Sequence, residues 1–424
     1  MAQTGRNSTP IIAVAIVVAV AALAAVFVLT VDHDGADVTI YTDKGISAKV
    51  SGNYLGETIL EAELDEGTAF GGWYSEKGIL LSKDTRYADY FENGDVVFAY
   101  STSYLSAEMD EDTDVRGLLG ISSDVPVTIG ESDYDGTKAE TDGTATVFTS
   151  PGVYSVKYTP GDTYRCARIM VDGTIAVDYE WSYSTTVEPM FNFLKHHFKK
   201  TVEDKFELSL DVLYSDYVHY RDIYSDDERI CYYSNMDGSD EDIAHDLSFV
   251  AYDDVQDPYI RQIADYIELK TEGKSEQYVA NIILTFVQSI PYAYDSDVHG
   301  TSEYWQFPLE TLFLNSGDCE DTSILFAAIA SKMGYDSALF IFEDHMAAGI
   351  SIEGFEYSRS TSSSVKEGVS GWSVTTGEGE DAVTTTYYYG ETTADGWLIG
   401  EVPVDEYDKF EWAFEVPAVS ADPL

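Results

Sequence analysis

The chain has 424 residues, with 24 Lys and Arg against 76 Asp and Glu, a formal charge of -52 at pH 7. That charge repels phosphate backbones, and no basic stretch longer than Lys195 to Lys200 interrupts it, so nucleic acid is excluded as a partner. With 44% apolar residues and 32 Tyr, 19 Phe and 6 Trp it is no disordered acidic tail, and at about 100–200 residues per domain it holds more than one unit.

Residues 11–31, IIAVAIVVAVAALAAVFVLTV, carry no charge and as a helix would run roughly 30 Å, the thickness of a bilayer core. The pattern predicts a transmembrane helix behind a short cytoplasmic tail, 1–10. Arg6 and the free amine precede the segment while Asp32, Asp34 and Asp37 follow it. The positive-inside bias then gives a single-pass protein of the cell membrane, its N-terminus cytoplasmic and the bulk of the chain extracellular. A cleaved signal peptide is the rival, but the apolar stretch exceeds the usual ~7–15 residues and ends without a small-x-small site.

Residues 38–103 read as short alternating strands broken by Gly and Asn, such as VTIYTD, ISAKV and VVFAY. The stretch AFGGWYSEKGILLSKDTRYADYFENGDVVFAY resembles one copy of the F-x-GWY repeat of bacterial surface proteins, a β-grasp module of internalin type. The resemblance makes Phe70, Trp73 and Tyr74 core and Gly71 and Gly72 turn positions, with no site. Residues 110–178 form a second β-rich stretch, with VPVTIG, TATVFT, PGVYSVKYTP and CARIMVDG alternating apolar and polar side chains. PGVYSVKYTP is similar to a strand region of immunoglobulin-like or PKD-like sandwiches, which serve as spacers or adhesion units.

After Asp178 the texture becomes helical, with Tyr278, Ile282, Phe286 and Ile290 at helix spacing. An α+β domain over 185–418, with a core at 255–403, is expected. His196 and His197 are adjacent, so on a helix they point about 100° apart, and they read as surface residues. Cys166, Cys231 and Cys319 lie far apart without CxxC or Cys/His spacing, which indicates neither a disulfide framework nor zinc. Cys166 falls in a strand and reads as buried and inert. Asp318, Glu320 and Asp321 lack the alternating spacing of a calcium loop, so neither metal nor cofactor is expected.

One cysteine has a special setting. Asn315 to Asp318 form a turn, and the apolar run after Cys319 continues as a helix to near Gly334. Cys319 therefore opens a buried helix, where unpaired amides and the helix dipole favour a thiolate. Glu320 suits the first-turn dipole and Asp321 a capping or bracing role, while Asp318 must point away or be neutralised for the thiolate to form. His345 follows the apolar strand ALFIF and precedes AAGISI, and it is the candidate general base. Glu391, in YYYGETTADGWLIGEVP, is the carboxylate that would fix the imidazole tautomer.

GDCEDTSILFAAIASKMGY, DHMAAGI and YYYGETTADGWLIGEVP together resemble the nucleophile helix, histidine strand and acid strand of the transglutaminase-like superfamily, which has a papain-like α+β fold. The resemblance covers about residues 255–403. It implies Cys319 as nucleophile, His345 as base and Glu391 as orienting acid, with Glu in place of the commoner Asp. Gln306 is a candidate oxyanion donor beside the Cys319 amide, with Trp305 or a plain structural Gln as alternatives. The long polar stretch 353–386 reads as an inserted hairpin or flexible loop near the site.

The fold expected is multidomain: an N-terminal transmembrane helix, β-grasp-like and immunoglobulin-like modules, and a C-terminal transglutaminase-like domain. The chemistry expected is acyl transfer at an amide through a thioester, with water favoured over an amine as acceptor and a peptide or protein of the cell envelope as substrate. The alternative is a non-catalytic adhesion or envelope protein with a degenerate domain of this kind.

Overall fold

The computed structural model describes residues 36–54, 56–143, 145–187, 200–223, 255–301, 304–357, 364–376 and 382–416. The chain divides into two compact units, Met1–Asp172 and Gly173–Leu424. Strands dominate over helices in the described residues.

The fold class expected from sequence is corrected on one point. Among the described residues no helix is long and apolar enough to cross a membrane. The longest helices there have 14 residues, about 21 Å against a bilayer core of about 30 Å. Residues 11–31 lie outside the described residues. The single-pass anchor, the membrane as a partner and the cell-membrane localisation are withdrawn with it. His196, His197 and Cys231 also lie outside the described residues.

In the first unit, one eight-stranded sheet takes strands from both β-rich stretches. Its order is Val127–Ser132, Gly152–Tyr158, Arg165–Val171, Thr39–Thr42, Val96–Ser101, Phe70–Ser75 and Leu80–Ser82, with Leu105–Ala107 also paired to Arg165–Val171. Alternation places Tyr154, Val156, Ile169 and Val171 in one core with Phe148, and Trp73, Val97 and Ala99 in another with Ile46 and Leu60. Gly71 and Gly72 are not turn residues but lie inside the strand Phe70–Ser75. A Cβ on Gly71 would stand 2.7 Å from the Ser101 carbonyl oxygen, so glycine is required there by close backbone approach. Cys166 is fully buried, and burial pushes its thiol well up, as an inert core cysteine requires.

The second unit holds a five-stranded antiparallel sheet in the order Gly371–Thr376, Val383–Gly390, Met346–Ile350, Ser337–Phe342 and Phe410–Val416. The helix Cys319–Lys332 packs on the two strands Ser337–Phe342 and Met346–Ile350 and is covered by helices Asp257–Lys270, Glu276–Gln288 and Pro308–Leu314. Every residue from Asp321 to Ser331 is buried. A helix apolar all round is stable only when enclosed in this way. It stops at Met333, before Gly334 at φ 84°, a left-handed position that ends helices.

The covering helices carry one apolar face each. Asp257–Lys270 buries Tyr259, Ile260, Ile263, Ala264 and Ile267, the i, i+4 stripe of a core-facing helix. Ser275 caps Glu276–Gln288 by accepting from the Tyr278 amide at 3.3 Å. A long hairpin of Thr174–Val187 against Lys200–Leu213 completes the unit. In the sheet, Gly349 has no side chain because the Phe340 ring occupies its place: an added Cβ would stand 2.6 Å from the ring. Part of the polar stretch 353–386 forms the hairpin strand Gly371–Thr376 paired with Val383–Gly390, while residues 358–363 and 377–381 lie outside the described residues.

Candidate active site

Two elements of the second unit converge on one end of the sheet. His345 closes the turn between Ser337–Phe342 and Met346–Ile350, its carbonyl accepting from the Phe342 amide at 2.9 Å. Strand Val383–Gly390 pairs with Met346–Ile350, Ala348 opposite Gly390, so the next residue, Glu391, arrives beside the histidine. His345 Nε2 lies 3.2 Å from Glu391 Oε2.

Glu391 is 5% exposed and held by several donors. The Tyr389 hydroxyl donates to Oε2 at 2.6 Å, and the Thr393 amide and hydroxyl donate to Oε1 at 3.1 and 2.6 Å. Burial alone would raise this carboxyl, but the hydrogen bonds and charge of His345, with Thr393 and Tyr389, hold it down at about 2. Gln288 fixes the backbone of the same segment, its Nε2 donating to the Glu391 carbonyl at 2.7 Å and the Trp397 carbonyl at 3.2 Å. The Thr392 hydroxyl bonds those of Thr322 and Ser323 at 2.9 and 3.1 Å, tying the acid segment to the cysteine helix.

Cys319 is the first residue of that helix, after Asp318 at the cap. Asp321 braces the turn: Oδ2 accepts from the Asp318 amide at 3.2 Å and Oδ1 from the Gln306 amide at 2.7 Å. The sulfur's hydrogen bond, however, goes to a carboxyl. Sγ donates to Glu320 Oε2 at 2.8 Å. Burial, the Glu320 charge and hydrogen bond, and the Asp318 charge push the thiol well up, while the Met346 backbone amide acts the other way. Two neighbouring carboxyls beside this partly buried sulfur thus oppose the helix dipole, equivalent to about half a charge, on which the expected thiolate relies.

The acids share this crowding. Burial, Asp318 and the hydrogen bond to it push Glu320 up to about 8, and burial likewise raises Asp318 and Asp321. Two trios bring their ligand atoms within 4.8 Å, Asp318 with Cys319 and Glu320, and Asp295 with Asp318 and Asp321. A hard cation takes 6–8 oxygen ligands, so a trio would supply only part of a coordination shell.

The structure thus brings His345 and Glu391 into contact. It ties Cys319 to the same strand through Met346, and gives the thiol's hydrogen bond to Glu320 rather than to His345. Gln306 is 1% exposed, joined to Asp321 by its backbone, and its Oε1 has no hydrogen bond among the described residues. Sequence reasoning missed Tyr389, Thr393 and Gln288. The period of two places Tyr389 and Glu391 on one face, and Thr two places after Glu is a side-chain turn signal. Both signals were readable. Gln288 had none, being an ordinary polar residue at the end of a helix.

Two cavities flank the cluster. One of about 350 Å³ is lined by His345, Glu391, Thr393, Trp397, Asp344 and Glu406. The other, about 790 Å³, shares Thr393 and Trp397 with the first and reaches Tyr292. Burial, then Cys319, Asp318 and Glu320, raise the Tyr292 hydroxyl, which places that ring within electrostatic reach of the sulfur.

No protein-family model matches the chain, and no curated protein does. A solved structure of a TGase aligns with 79% of this chain and 78% of its own length, at 9% identity and a TM-score of 0.22. An I-band fragment of titin aligns with 32% of this chain and 63% of its own length, at 6% identity and a TM-score of 0.10. At these scores the likenesses carry no argument here, and the internalin-type resemblance has no support among them. The functional reading rests on the site.

Proposed function

We propose that the second unit is a cysteine enzyme of transglutaminase-like type that transfers an acyl group from an amide through a thioester. The observation that carries this reading is the His345–Glu391 pair at 3.2 Å. A buried, ionised carboxylate on Nε2 leaves Nδ1 as the imidazole nitrogen that serves the sulfur, and it stabilises the imidazolium formed when the proton arrives. Glu391 has three donors that keep it ionised, which a merely structural strand residue does not need.

In the reaction, the thiol exchanges its Glu320 contact for His345, which takes the proton. The thiolate attacks the amide carbon, forming a C–S bond, and the Cys319 amide and Gln306 side chain meet the developing oxyanion. The imidazolium then protonates the departing amine as the C–N bond breaks. Water, or an amine, next attacks the thioester and frees the thiol. Hydrolysis of peptide or protein amides is the favoured outcome, and transamidation follows the same steps with a different acceptor.

A second reading is a non-catalytic protein, and one observation favours it: the resting thiol is bound to Glu320 and pushed up rather than activated. Intact-mass analysis after incubation with glutamine-containing peptides and a labelled amine separates the two. The enzyme reading requires acylation at Cys319, absent in Cys319→Ala, followed by release of acid or amide product. A chain that forms neither adduct nor product across such a library belongs to the second reading.

A further inference from the structure

The 790 Å³ groove has an unusual wall. Glu180, Trp181, Ser182, Tyr183 and Ser184, five consecutive residues of strand Thr174–Val187, all line it. Side chains of a strand alternate between faces, so one face alone cannot put five neighbours in one cavity. Here Trp181 and Tyr183 are buried, their rings 5.0 Å from Phe286 and 5.2 Å from Tyr278 on the helix Glu276–Gln288, while Glu180, Ser182 and Ser184 are exposed. The shared boundary is therefore the edge of the strand. Its other edge pairs with Lys200–Leu213, Trp181 opposite Phe206, and among the described residues no other strand adds to this sheet. Alternate N–H and C=O groups of 180–184 thus point into the groove as a template for one more strand.

The far end of the groove is the nucleophile's own loop. Tyr292, which lines it, bridges in parallel to Gly317, and the Ala293 amide donates to the Gly317 carbonyl at 3.0 Å, two residues before Cys319. Thr393 and Trp397 carry the groove into the His345 cavity. Glu180 and Asp395 line it, and among the described residues no Lys or Arg does.

We propose that an extended, basic peptide segment binds here as an added β-strand along Glu180–Ser184, delivering its scissile amide toward Cys319. This rests on the acyl-transfer reading above for its direction and on the free strand edge for its mode. Backbone hydrogen bonds along the edge give affinity with little sequence demand. The groove carboxylates and the rings of Tyr292 and Trp397 favour Lys or Arg side chains. A second copy of the chain is the competing occupant of any free edge, but a net charge of -52 on each copy opposes that pairing.

The test uses the full chain carrying Cys319→Ala against a displayed library of random decapeptides. The expected result is enrichment of Lys- or Arg-bearing sequences, slowed hydrogen exchange of the alternate, groove-facing amides within 180–184 with them, and at least tenfold weaker binding to Glu180→Lys/Asp395→Lys. Both substituted positions are exposed, and circular dichroism checks that the variant keeps its fold. Enrichment of none or of acidic sequences, binding indifferent to the double variant, protection elsewhere, or exchange slowed only by self-association would each overturn the proposal. Incubating the enriched peptides with the unsubstituted chain separates the two readings. Binding in the groove without acylation of Cys319 removes the enzyme and keeps the groove, while acylation indifferent to the double variant does the reverse.

Discussion

Two glutamates stand at the candidate site, each withdrawn from water and each touching a group on which the chemistry depends, and they are held in opposite states. Glu391 has Tyr389, Thr393 and His345 around its oxygens and sits at about 2. Glu320 has Asp318 beside it and the Cys319 thiol on it, and sits at about 8. Burial works against the charge on both. What separates them is the company each keeps: several donors and a potential cation in one pocket, a second carboxyl in the other. One half of the site is thus pre-organised, and the other rests with its nucleophile protonated.

The largest effect expected is at the sulfur. Cys319→Ala should lower turnover of any amide substrate by at least about 10⁴-fold, measured as product release by mass spectrometry. Residual turnover within a factor of ten would leave the comparison without a reaction to explain. Glu391→Gln should follow, with kcat down by about 10²- to 10⁴-fold, since a neutral amide neither fixes the tautomer nor stabilises the imidazolium. The readout that separates this from simple damage is recovery of activity in Glu391→Asp.

Glu320→Gln tests the opposite pocket. Above pH 8, where Glu320 is ionised, removing its charge lowers the thiol's pKa, so alkylation of Cys319 by iodoacetamide at pH 9 should quicken by about tenfold for each unit, with a smaller difference at pH 6 where the wild-type carboxyl is already neutral. Cys166 serves as the internal control, its buried thiol labelling slowly in both proteins. Unchanged labelling of Cys319 would show that Glu320 does not restrain it.

The smallest effects are in stability, and their signs differ. The folded value of Glu391, about 2, lies below its ordinary 4.5, so its contribution is complete above 4.5 and is lost as pH falls towards 2. Denaturant titrations should show a loss of about 3 kcal/mol over that window, absent in Glu391→Gln. Glu320, at about 8, lies above 4.5, so the fold binds its proton more tightly than the unfolded chain. Stability should decline as pH rises from 4.5 through 8, and Glu320→Gln should flatten that slope. If both substitutions moved the same limb of the curve, the contrast between the pockets would be lost.

Much of the second unit was legible in the residues themselves. Apolar spacing marked the helices, the turn before Cys319 and Gly334 bounded the helix between them, and ALFIF and AAGISI announced the strands on either side of His345. The first unit was legible as strands but not as one sheet. Which strand adds to which edge depends on partners far apart in sequence, such as Thr39–Thr42 between Val96–Ser101 and Arg165–Val171. The glycines at 71 and 72 were misplaced for the same reason, since the Ser101 carbonyl that crowds Gly71 and the Leu80 and Ser82 atoms that crowd Gly72 belong to other strands. The membrane helix failed differently: an apolar stretch was read as a span, and no described helix is long and apolar enough to be one.

By itself the sequence determined the local periods, the caps and the order of Cys319, His345 and Glu391 along the chain, because each depends on neighbours within a few residues. Only the tertiary structure decided how far Cys319 and Glu320 are withdrawn from water, the contact of His345 with Glu391, and the strand edge that opens onto Tyr292. Asp318, Tyr389 and Thr393 are near neighbours in sequence of the groups they act on, but the burial that gives those charges their weight and the approach of His345 come from residues remote in the chain.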